Sequence, residues 1–319
     1  MKPSESSATR WRLSLGLWCA IALALFITAP DPPAPPVMQD QDERALLQEL
    51  ATTRDAAQRW QASFGDRQIP WERARGHLAI VIDDVGRELH YFEQLLALRY
   101  ALTFSVLPGS VYAPGVQQRL VADPRRPREI WLHLPCEPRD PKHMRTPGER
   151  DEDFLRVSDA PEVLGEKLTR ALERVPLAIG VNNHMGSRLT AERAAMDALM
   201  PVLRARDLLF LDSLTIGRSQ AYAAARDAGV PAIQRSVFLD HEPGRAKIAA
   251  RLEEAAALAV AKPTVVIGHP SQEVVDVLRE RLPELHARGI GVYPLAEVIT
   301  RVNGPRDRSM NLTEAGAPQ

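Results

Sequence analysis

HLAIVIDDVG, residues His77 to Gly86, is the stretch around which the chain is organised. Its run from Leu78 to Ile82 is apolar and too short for a buried helix, which predicts a central strand buried on both faces. The strand ends on two adjacent carboxylates, Asp83 and Asp84. Neighbouring side chains on an extended backbone point to opposite sides, so one carboxylate can hold a metal ion while the other moves a proton. The alternative interpretation is a simple turn.

Charge and composition narrow the choice of partners. The 319-residue chain contains 40 Lys and Arg against 41 Asp and Glu, a balance that gives no electrostatic attraction to nucleic acid. We therefore predict no nucleic-acid partner. The two cysteines, Cys19 and Cys136, cannot form a disulfide framework within the folded part. Aromatic residues make up 5% of the chain, which counts against a deep groove that stacks on sugar chains.

Residues 1–29 predict a segment for export or membrane anchoring. Residues 1–12 are polar with a basic excess, and Leu13 to Ala29 is apolar and uncharged. A cleaved signal peptide and a retained anchor both fit this pattern, and Pro30, which should obstruct cleavage, favours the anchor. The folded part is then expected outside the cytoplasm, in the periplasm, and attached to the inner membrane where residues 13–29 are retained.

Residues 30–76 are predicted to link this segment to the folded domain. The prolines between Pro30 and Pro36 predict a stiff, extended spacer. Residues 42–64 carry apolar side chains at helical spacing without proline or glycine, which predicts an amphipathic helix. Its apolar face can pack on the domain or pair two chains into a homodimer. The polar tail of residues 303–319 is predicted to be disordered.

Residues 77–302 predict one α/β domain, because apolar strand-like runs alternate with helical stretches. Such alternation indicates parallel strands joined by right-handed crossovers, in a barrel or an open doubly wound sheet. About eight runs favour the barrel. The predicted strands are Leu78–Ile82, Leu102–Leu107, Ile130–Leu134, Leu177–Val181, Leu208–Leu211, Ala232–Leu239, Thr264–Ile267 and Gly289–Tyr293.

Polar residues suited to catalysis or metal binding follow these strands. The carboxyl ends of parallel strands meet at one rim, where functional groups collect. Besides the aspartate pair, the rim positions are His133, Asn182, Asn183, His184, Asp212, Ser213, Asp240, His241 and His269. A single histidine is more often structural than a metal ligand. A random scatter of polar residues, however, would not place them preferentially at the carboxyl ends of the strands, so the joint pattern favours a functional site. A carboxylate with neutral imidazoles suits a divalent metal of the zinc type.

Other kinds of site fit the sequence less well. The chain lacks HExxH and paired CxxC motifs, so metal ligands must come from separate strands. It lacks a GxSxG motif, which argues against a Ser-His-Asp hydrolase. Cys136 lies in a proline-flanked segment, which favours a packing role over a nucleophilic one.

Seven motifs follow one another along the domain. They are IDDVG (Ile82–Gly86), TFSVLPG (Thr103–Gly109), HLPCEP (His133–Pro138), GVNNHMGS (Gly180–Ser187), FLDS (Phe210–Ser213), FLDH (Phe238–His241) and IGHP (Ile267–Pro270). Together they resemble the divergent polysaccharide deacetylase family, a distant branch of the metal-dependent carbohydrate esterases. The resemblance covers residues 77–302 and implies a deformed (β/α) barrel of about seven to eight mostly parallel strands.

The resemblance also implies roles for individual residues. Asp83 matches the base of the typical deacetylases, Asp84 matches a metal ligand, and His133 matches the first ligand histidine. The second ligand histidine of that pattern is replaced by Glu137. Either Glu137 or His184 then completes the metal site, and we favour His184. Glu137 would then act through a bound water or contact the ligands without binding the metal itself.

Further roles follow from the same comparison of motifs. His269 matches the histidine that protonates the leaving amine, and Asp212 is expected to orient it. The segment Asn182–Met185 replaces an arginine-containing motif on the fourth strand, which alters the expected recognition of substrate. Additional candidates for metal ligation or support of the ligands are Asn182, Asn183, Asp240 and His241.

These features predict a metal-dependent hydrolase of the cell envelope, with zinc as the expected ion. A metal-activated water, deprotonated by Asp83, attacks an N-acetyl carbonyl of a carbohydrate, and His269 protonates the amine. The alternative is a non-catalytic, metal-containing envelope protein that binds a glycan or a protein partner; the altered ligand pattern and the anchor with its spacer favour it. A third interpretation is a hydrolase of another ester, with Arg188 and Arg235 near a phosphorylated substrate.

Overall fold

The structure, a computed structural model, describes residues 65–126, 128–144 and 151–304, together with residue 48. The predicted export segment, spacer and amphipathic helix, apart from residue 48, and the tail from residue 305 onward lie outside the described residues. Within the described part of the chain, no helix has the length and apolar character needed to cross a membrane. The described residues from 65 onward belong to one compact unit.

One curled sheet of parallel strands lies at the centre of this unit. The described residues form nine strands: β1 (Gly76–Val85), β2 (Thr103–Val106), β3 (Ile130–Cys136), β4 (Gly180–Met185), β5 (Leu209–Asp212), β6 (Ala232–Gln234), β7 (Val237–Phe238), β8 (Thr264–Gly268) and β9 (Ile290–Val292). They follow the order β6-β5-β4-β3-β2-β1-β8-β7, and β9 pairs with the first residues of β1. This architecture is consistent with the deformed (β/α) barrel that the sequence predicts.

Helices connect the strands, as the alternating pattern predicts. Those in the described residues are α1 (His90–Leu96), α2 (Ala113–Val121), α3 (Pro161–Arg174), α4 (Arg193–Ala205), α5 (Ala221–Asp227), α6 (Arg245–Ala261), α7 (Gln272–Ala287) and α8 (Leu295–Asn303). Two of them start at clear sequence signals. α3 begins with a proline at its first position, and α7 begins after Ser271, whose side chain accepts a hydrogen bond from the backbone N–H of Val274.

β1 is central because both of its faces are apolar and covered. Residues Leu78 to Ile82 are all fully buried, with β2 on one side of the strand and β8 on the other. Leu78 and Ile80 join the large apolar cluster that includes the helices. Ala79 and Val81 join a second cluster with residues of β3, β5, β8 and α8. Burial on both faces holds β1 in place, and β1 positions Asp83 and Asp84 at the rim.

The predicted strand Ala232–Leu239 is in fact two strands at opposite ends of the strand order. β6 pairs with β5 and β7 pairs with β8, although only two residues separate β6 from β7. The backbone N–H of Arg235 donates to the carbonyl of Asp212, whereas that of Ser236 donates to the carbonyl of Val265. A connection this short requires the sheet to curl until its two edges approach each other.

β4 also differs from the predicted strand Leu177–Val181, because it begins and ends later. Leu177 and Ile179 are 50% and 41% exposed and precede the strand. Residues 182–184, which were predicted to follow the strand, lie inside it and are buried. The apolar pattern misplaced the strand because these three polar side chains are buried with hydrogen-bond partners in place of apolar contacts.

Candidate metal and catalytic site

Three side chains from β1, β3 and β4 converge at the carboxyl edge of the sheet. Oδ1 of Asp84, Nε2 of His133 and Nδ1 of His184 form a triangle with sides of 3.2, 3.1 and 3.0 Å. Both histidines are buried, and Asp84 is partly buried. Among the described residues, no hydrogen-bond donor of acceptable geometry reaches Asp84 Oδ1, although that atom is buried. We call these three residues the ligand triad.

The donor set of the ligand triad fits a divalent metal of the zinc type. Two imidazole nitrogens and one carboxylate oxygen, with further positions open, are ligands that catalytic zinc accepts. Ligand bonds of about 2.0–2.1 Å in tetrahedral geometry place donor atoms about 3.3 Å apart, close to the observed sides of the triangle. Positive charge between the three atoms would relieve their mutual repulsion and give the buried Oδ1 of Asp84 its missing partner.

The backbone around Asp84 is held in an unusual conformation. Asp84 has a φ of 56°, and the register between β1 and β2 is irregular at this point. Gly86 follows with a φ of 107°, and a Cβ atom there would collide with the side chain of Ser110. A left-handed conformation at a residue other than glycine costs on the order of 1–3 kcal/mol and is often found at functional sites.

Asp83 lies buried beside the ligand triad. Its Oδ1 and Oδ2 accept hydrogen bonds from Asn182 Nδ2 at 2.9 and 3.1 Å, and its Oδ2 lies 3.7 Å from Nε2 of His133. Burial raises the pKa of Asp83 above its ordinary value of 3.8, and the charges of His133 and His269 and the hydrogen bond from Asn182 oppose that rise only in part. A carboxylate with a raised pKa beside a metal site is suited to act as a general base.

Arg87 contacts the carboxylate of Asp84. Its Nη1 donates to Asp84 Oδ2 at 2.8 Å, so one oxygen of Asp84 faces the guanidinium and the other faces the two histidines. Burial raises the pKa of Asp84, but its contacts with His133 and His184 outweigh burial and hold the pKa well below 3.8. Asp84 is therefore ionised at neutral pH. Arg87 was not among the residues predicted from the sequence, and its only signal there is its position three residues after Asp84.

His269, directly after β8, pairs with Asp240. Its Nδ1 lies 3.2 Å from Asp240 Oδ1, and its backbone N–H donates to Asp240 Oδ2 at 2.9 Å. Burial lowers the pKa of His269, but the hydrogen bond with Asp240 and the charges of Asp84, Asp240 and Asp83 raise it to about 9. His269 is therefore protonated at neutral pH, as a general acid must be.

The structure corrects the prediction that Asp212 orients His269. Asp212 is buried at the end of β5, where it accepts hydrogen bonds from Gln234 Nε2 and from the backbone N–H of Leu214. It stabilises the turn after β5. The sheet order explains the difference, because β8 neighbours β7, and Asp240 lies two residues beyond the end of β7.

Glu137 is turned away from the ligand triad. Its Oε1 accepts a hydrogen bond from Arg188 at 2.8 Å, and its Oε2 accepts one from the backbone N–H of Val157 at 2.8 Å. These contacts join the segments that follow β3 and β4. Of the two residues considered for the third ligand position, the structure places His184 with the other ligands and directs Glu137 elsewhere.

Asn182 lies next to the ligand triad and contacts both Asp83 and His133. Its Oδ1 accepts a hydrogen bond from Ser105 and lies 3.1 Å from Nδ1 of His133. Its Nδ2 donates to Asp83 and, at 3.1 Å, to Ser213 Oγ. Ser105 was not among the predicted site residues, and its signal in the sequence is a hydroxyl within the apolar strand TFSV.

Two further candidates lie away from the ligand triad. Asn183 donates from Nδ2 to the carbonyl of Met185 and accepts at Oδ1 from the backbone N–H of Ser213, so it supports the turns after β4 and β5. His241 is exposed and packs edge-on against Phe238, with a ring separation of 6.1 Å. Neither residue is placed to share a metal ion with the triad.

The fold and the site together define a class of protein. It is a parallel α/β protein of deformed-barrel type whose carboxyl edge presents a candidate site for one metal ion. A buried aspartate with a raised pKa and a protonated histidine accompany that site. Potential metal ligands next to a carboxylate and a histidine suited to proton transfer are typical of metal-assisted hydrolysis.

The chain belongs to the divergent polysaccharide deacetylase family, whose sequence profile matches residues 80–299. This confirms the resemblance carried by the motifs. The chain is 36% identical over 211 residues to the uncharacterized protein YibQ of Escherichia coli K12, an alignment that covers 66% of this chain and 63% of YibQ. It therefore spans less than two thirds of the length of YibQ. A second relative, an uncharacterized protein of Haemophilus influenzae, is 32% identical over 215 residues, with 66% of this chain and 73% of that protein covered.

A solved structure supports the same fold. The crystal structure of an uncharacterized protein from Agrobacterium tumefaciens C58 superimposes with a TM-score of 0.63. The match covers 72% of this chain and 92% of that protein, at 24% sequence identity. At this level of identity the similarity establishes the fold alone.

Proposed function

We propose that this protein is a metal-dependent hydrolase that removes N-acetyl groups from a carbohydrate of the cell envelope. The observation that carries the proposal is the ligand triad with Asp83 and His269 beside it, because ligands, a base and an acid are the parts that such a reaction needs. Family membership supports deacetylation of a carbohydrate. The predicted export segment of residues 1–29 supports a periplasmic location at the inner membrane.

Asp84, His133 and His184 would hold the ion in this proposal. Zinc is the expected metal, since it accepts two imidazoles and a carboxylate and leaves positions open for substrate and water. When bound, the ion would polarise the acetyl carbonyl and lower the pKa of water.

Asp83 acts as the base in this mechanism. Its carboxylate is held by Asn182 and takes a proton from the attacking water. Burial raises the pKa of Asp83, so it accepts that proton more readily than a carboxylate at the protein surface.

His269 acts as the acid. Its Nδ1–H is directed to Asp240, which leaves the Nε2–H to protonate the leaving amine. Because the pKa of His269 is raised to about 9, this proton is present at neutral pH. The protonated His269 favours an enzyme over a pure binding protein, which has no need of a proton donor.

The second candidate function is a non-catalytic envelope protein that keeps the metal and binds a glycan or a protein. One observation favours it: Glu137, at the position of a typical ligand histidine, is used in a contact with Arg188. An enzyme that retains three ligands, a base and an acid does not need that histidine, so we rank the hydrolase first.

Metal analysis followed by an activity assay tests the proposal. Full-length protein purified without chelator or nickel should contain about one zinc-type ion per chain. Asp84→Ala and His184→Ala should lose the ion, whereas Asp83→Asn should keep it. Zinc-loaded wild type should release acetate from N-acetylated oligosaccharides, and Asp83→Asn should not. Absence of metal from wild type would contradict the proposal, and bound metal without acetate release would support the binding protein.

A further inference from the structure

Asn182 touches both the proposed base and a ligand of the triad. It lies in β4 directly opposite His133 of β3 and is fully buried. It contacts Asp83 through Nδ2 and His133 through Oδ1. The hydroxyls of Ser105 and Ser213 complete its surroundings. Such a residue controls how the base and the ligand are presented to the site.

The neighbours of Asn182 fix the orientation of its amide. The NH₂ group lies 2.9 and 3.1 Å from the two carboxylate oxygens of Asp83 and 3.1 Å from Ser213 Oγ, and its two N–H bonds serve both partners. The amide oxygen then faces Ser105 and His133. Rotating the amide by 180° would place its oxygen against a buried carboxylate, which is strongly unfavourable.

This orientation in turn selects the tautomer of His133. Since Oδ1 of Asn182 is an acceptor, Nδ1 of His133 must carry a hydrogen atom. Nε2, the nitrogen that metal binding requires, lies 3.2 Å from Oδ1 of Asp84. In the opposite tautomer, Nε2–H would donate to Asp84 and occupy the nitrogen that metal binding requires.

We propose that Asn182 is a positioning residue with two separable actions. Its Oδ1 holds His133 in the tautomer that binds metal through Nε2, and its Nδ2 holds the Asp83 carboxylate beside the ligand triad. The inference rests on the proposed function. It adds that one neutral side chain, Asn182, links the metal ligand His133 to the base Asp83.

Two substitutions separate the actions. Asn182→Ala removes both the acceptor for His133 and the donor for Asp83. Asn182→Asp has the same shape and keeps an oxygen facing His133, but it replaces the donor to Asp83 with a second oxygen. The first variant should therefore weaken metal binding and impair the base, and the second should impair the base without weakening metal binding.

The readouts are zinc affinity, the His133 tautomer and acetate release. In full-length protein, Asn182→Ala should weaken zinc binding by about 10- to 100-fold in a chelator competition. The ¹⁵N spectrum of metal-free Asn182→Ala should show His133 moving away from the Nδ1–H form. Asn182→Asp should bind zinc at least as tightly as wild type and keep the Nδ1–H form, while repulsion between its carboxylate and that of Asp83 lowers kcat by about 100-fold at unchanged KM.

Gln117→Ala is the matched control for the loss of a buried amide. Gln117 is buried and donates to the carbonyls of Ala113 and Arg174, contacts that do not involve the ligand triad. This variant should lose stability without changing zinc affinity or the His133 spectrum. A fall in zinc affinity in Gln117→Ala as large as in Asn182→Ala would assign the effect to general destabilisation and overturn the inference.

Three other results would also overturn it. They are wild-type zinc affinity with an unchanged His133 spectrum in Asn182→Ala, equal loss of zinc in Asn182→Ala and Asn182→Asp, and wild-type kcat in Asn182→Asp. If Asn182→Ala does not fold, the ¹⁵N spectrum of metal-free wild type still decides the contact with His133, because a His133 without the Nδ1–H form would overturn the inference. If wild type binds no zinc or releases no acetate, the proposed function fails, whereas the tautomer measured in metal-free protein still decides the role of Asn182 toward His133.

Discussion

Asp240→Asn is expected to lower the pKa of His269 and to destabilise the fold in a pH-dependent way. Burial lowers the pKa of His269, but its hydrogen bond with Asp240 and the surrounding carboxylates raise it from 6.5 to about 9. That difference corresponds to about 3 kcal/mol at most. A third of the His269 side chain is exposed, so screening by water reduces the contribution to about 1–2 kcal/mol. Without the charge of Asp240, the pKa should fall back toward 6.5.

The sign of the stability change follows from the direction of the shift. The pKa of His269 is higher in the folded protein than in the unfolded chain, so its stabilisation is fully present below pH 6.5 and is lost as the pH rises through about 9. Asp240→Asn should therefore reduce the free energy of unfolding more at pH 6 than at pH 10.

An NMR titration of His269 in metal-free protein measures the pKa, and urea unfolding at the two pH values measures stability. Asp212→Asn is the matched control, because Asp212 is a buried strand-end aspartate that contacts Gln234 and Leu214 and not His269. A His269 that still titrates near pH 9 in Asp240→Asn would refute the reasoning, as would equal shifts in both variants.

Three further predictions concern the metal site and its supports. Zinc should lower the pKa of His269 by neutralising the carboxylate of the ligand triad, as titrations with and without zinc will show. Glu137→Gln should cost about 1–3 kcal/mol in urea unfolding yet retain bound metal by mass spectrometry, because Glu137 supports two loops and not the ion. Gly186→Ala should lower Tm and zinc affinity, since Gly186 has a φ of 87° and a Cβ there would lie 2.9 Å from that of Cys136. Gly229→Ala, with a φ of 71° but open space, should lower Tm alone.

The fold could be predicted where burial follows apolar character. β1 and the helices α3, α6 and α7 lie where the sequence has apolar or amphipathic patterns. The pattern failed at β4 because its polar residues are buried, and at Arg235 and Ser236 because a local pattern does not show that the chain passes from one edge of the sheet to the other.

The candidate site could be predicted to the extent that each residue lies toward the carboxyl end of a strand. Asp84, His133 and His184 meet because the carboxyl ends of β1, β3 and β4 share one rim. The partner of His269 could not be predicted in this way. Its identity depends on which strand lies beside β8, and the strand that does so, β7, has only two residues and was merged with β6 in the prediction.

The register of β3 and β4 explains why His184, and not Glu137, lies beside Asp84 and His133. His133 lies opposite Asn182 in the parallel pair, and His184 is two residues beyond Asn182. Residues i and i+2 of a strand project from the same face, so His184 shares the face of Asn182, whereas Asn183 projects from the other. A histidine inside β4 therefore reaches His133 from a rigid strand. Glu137 follows β3, where its contacts with Arg188 and Val157 direct its side chain away from that face.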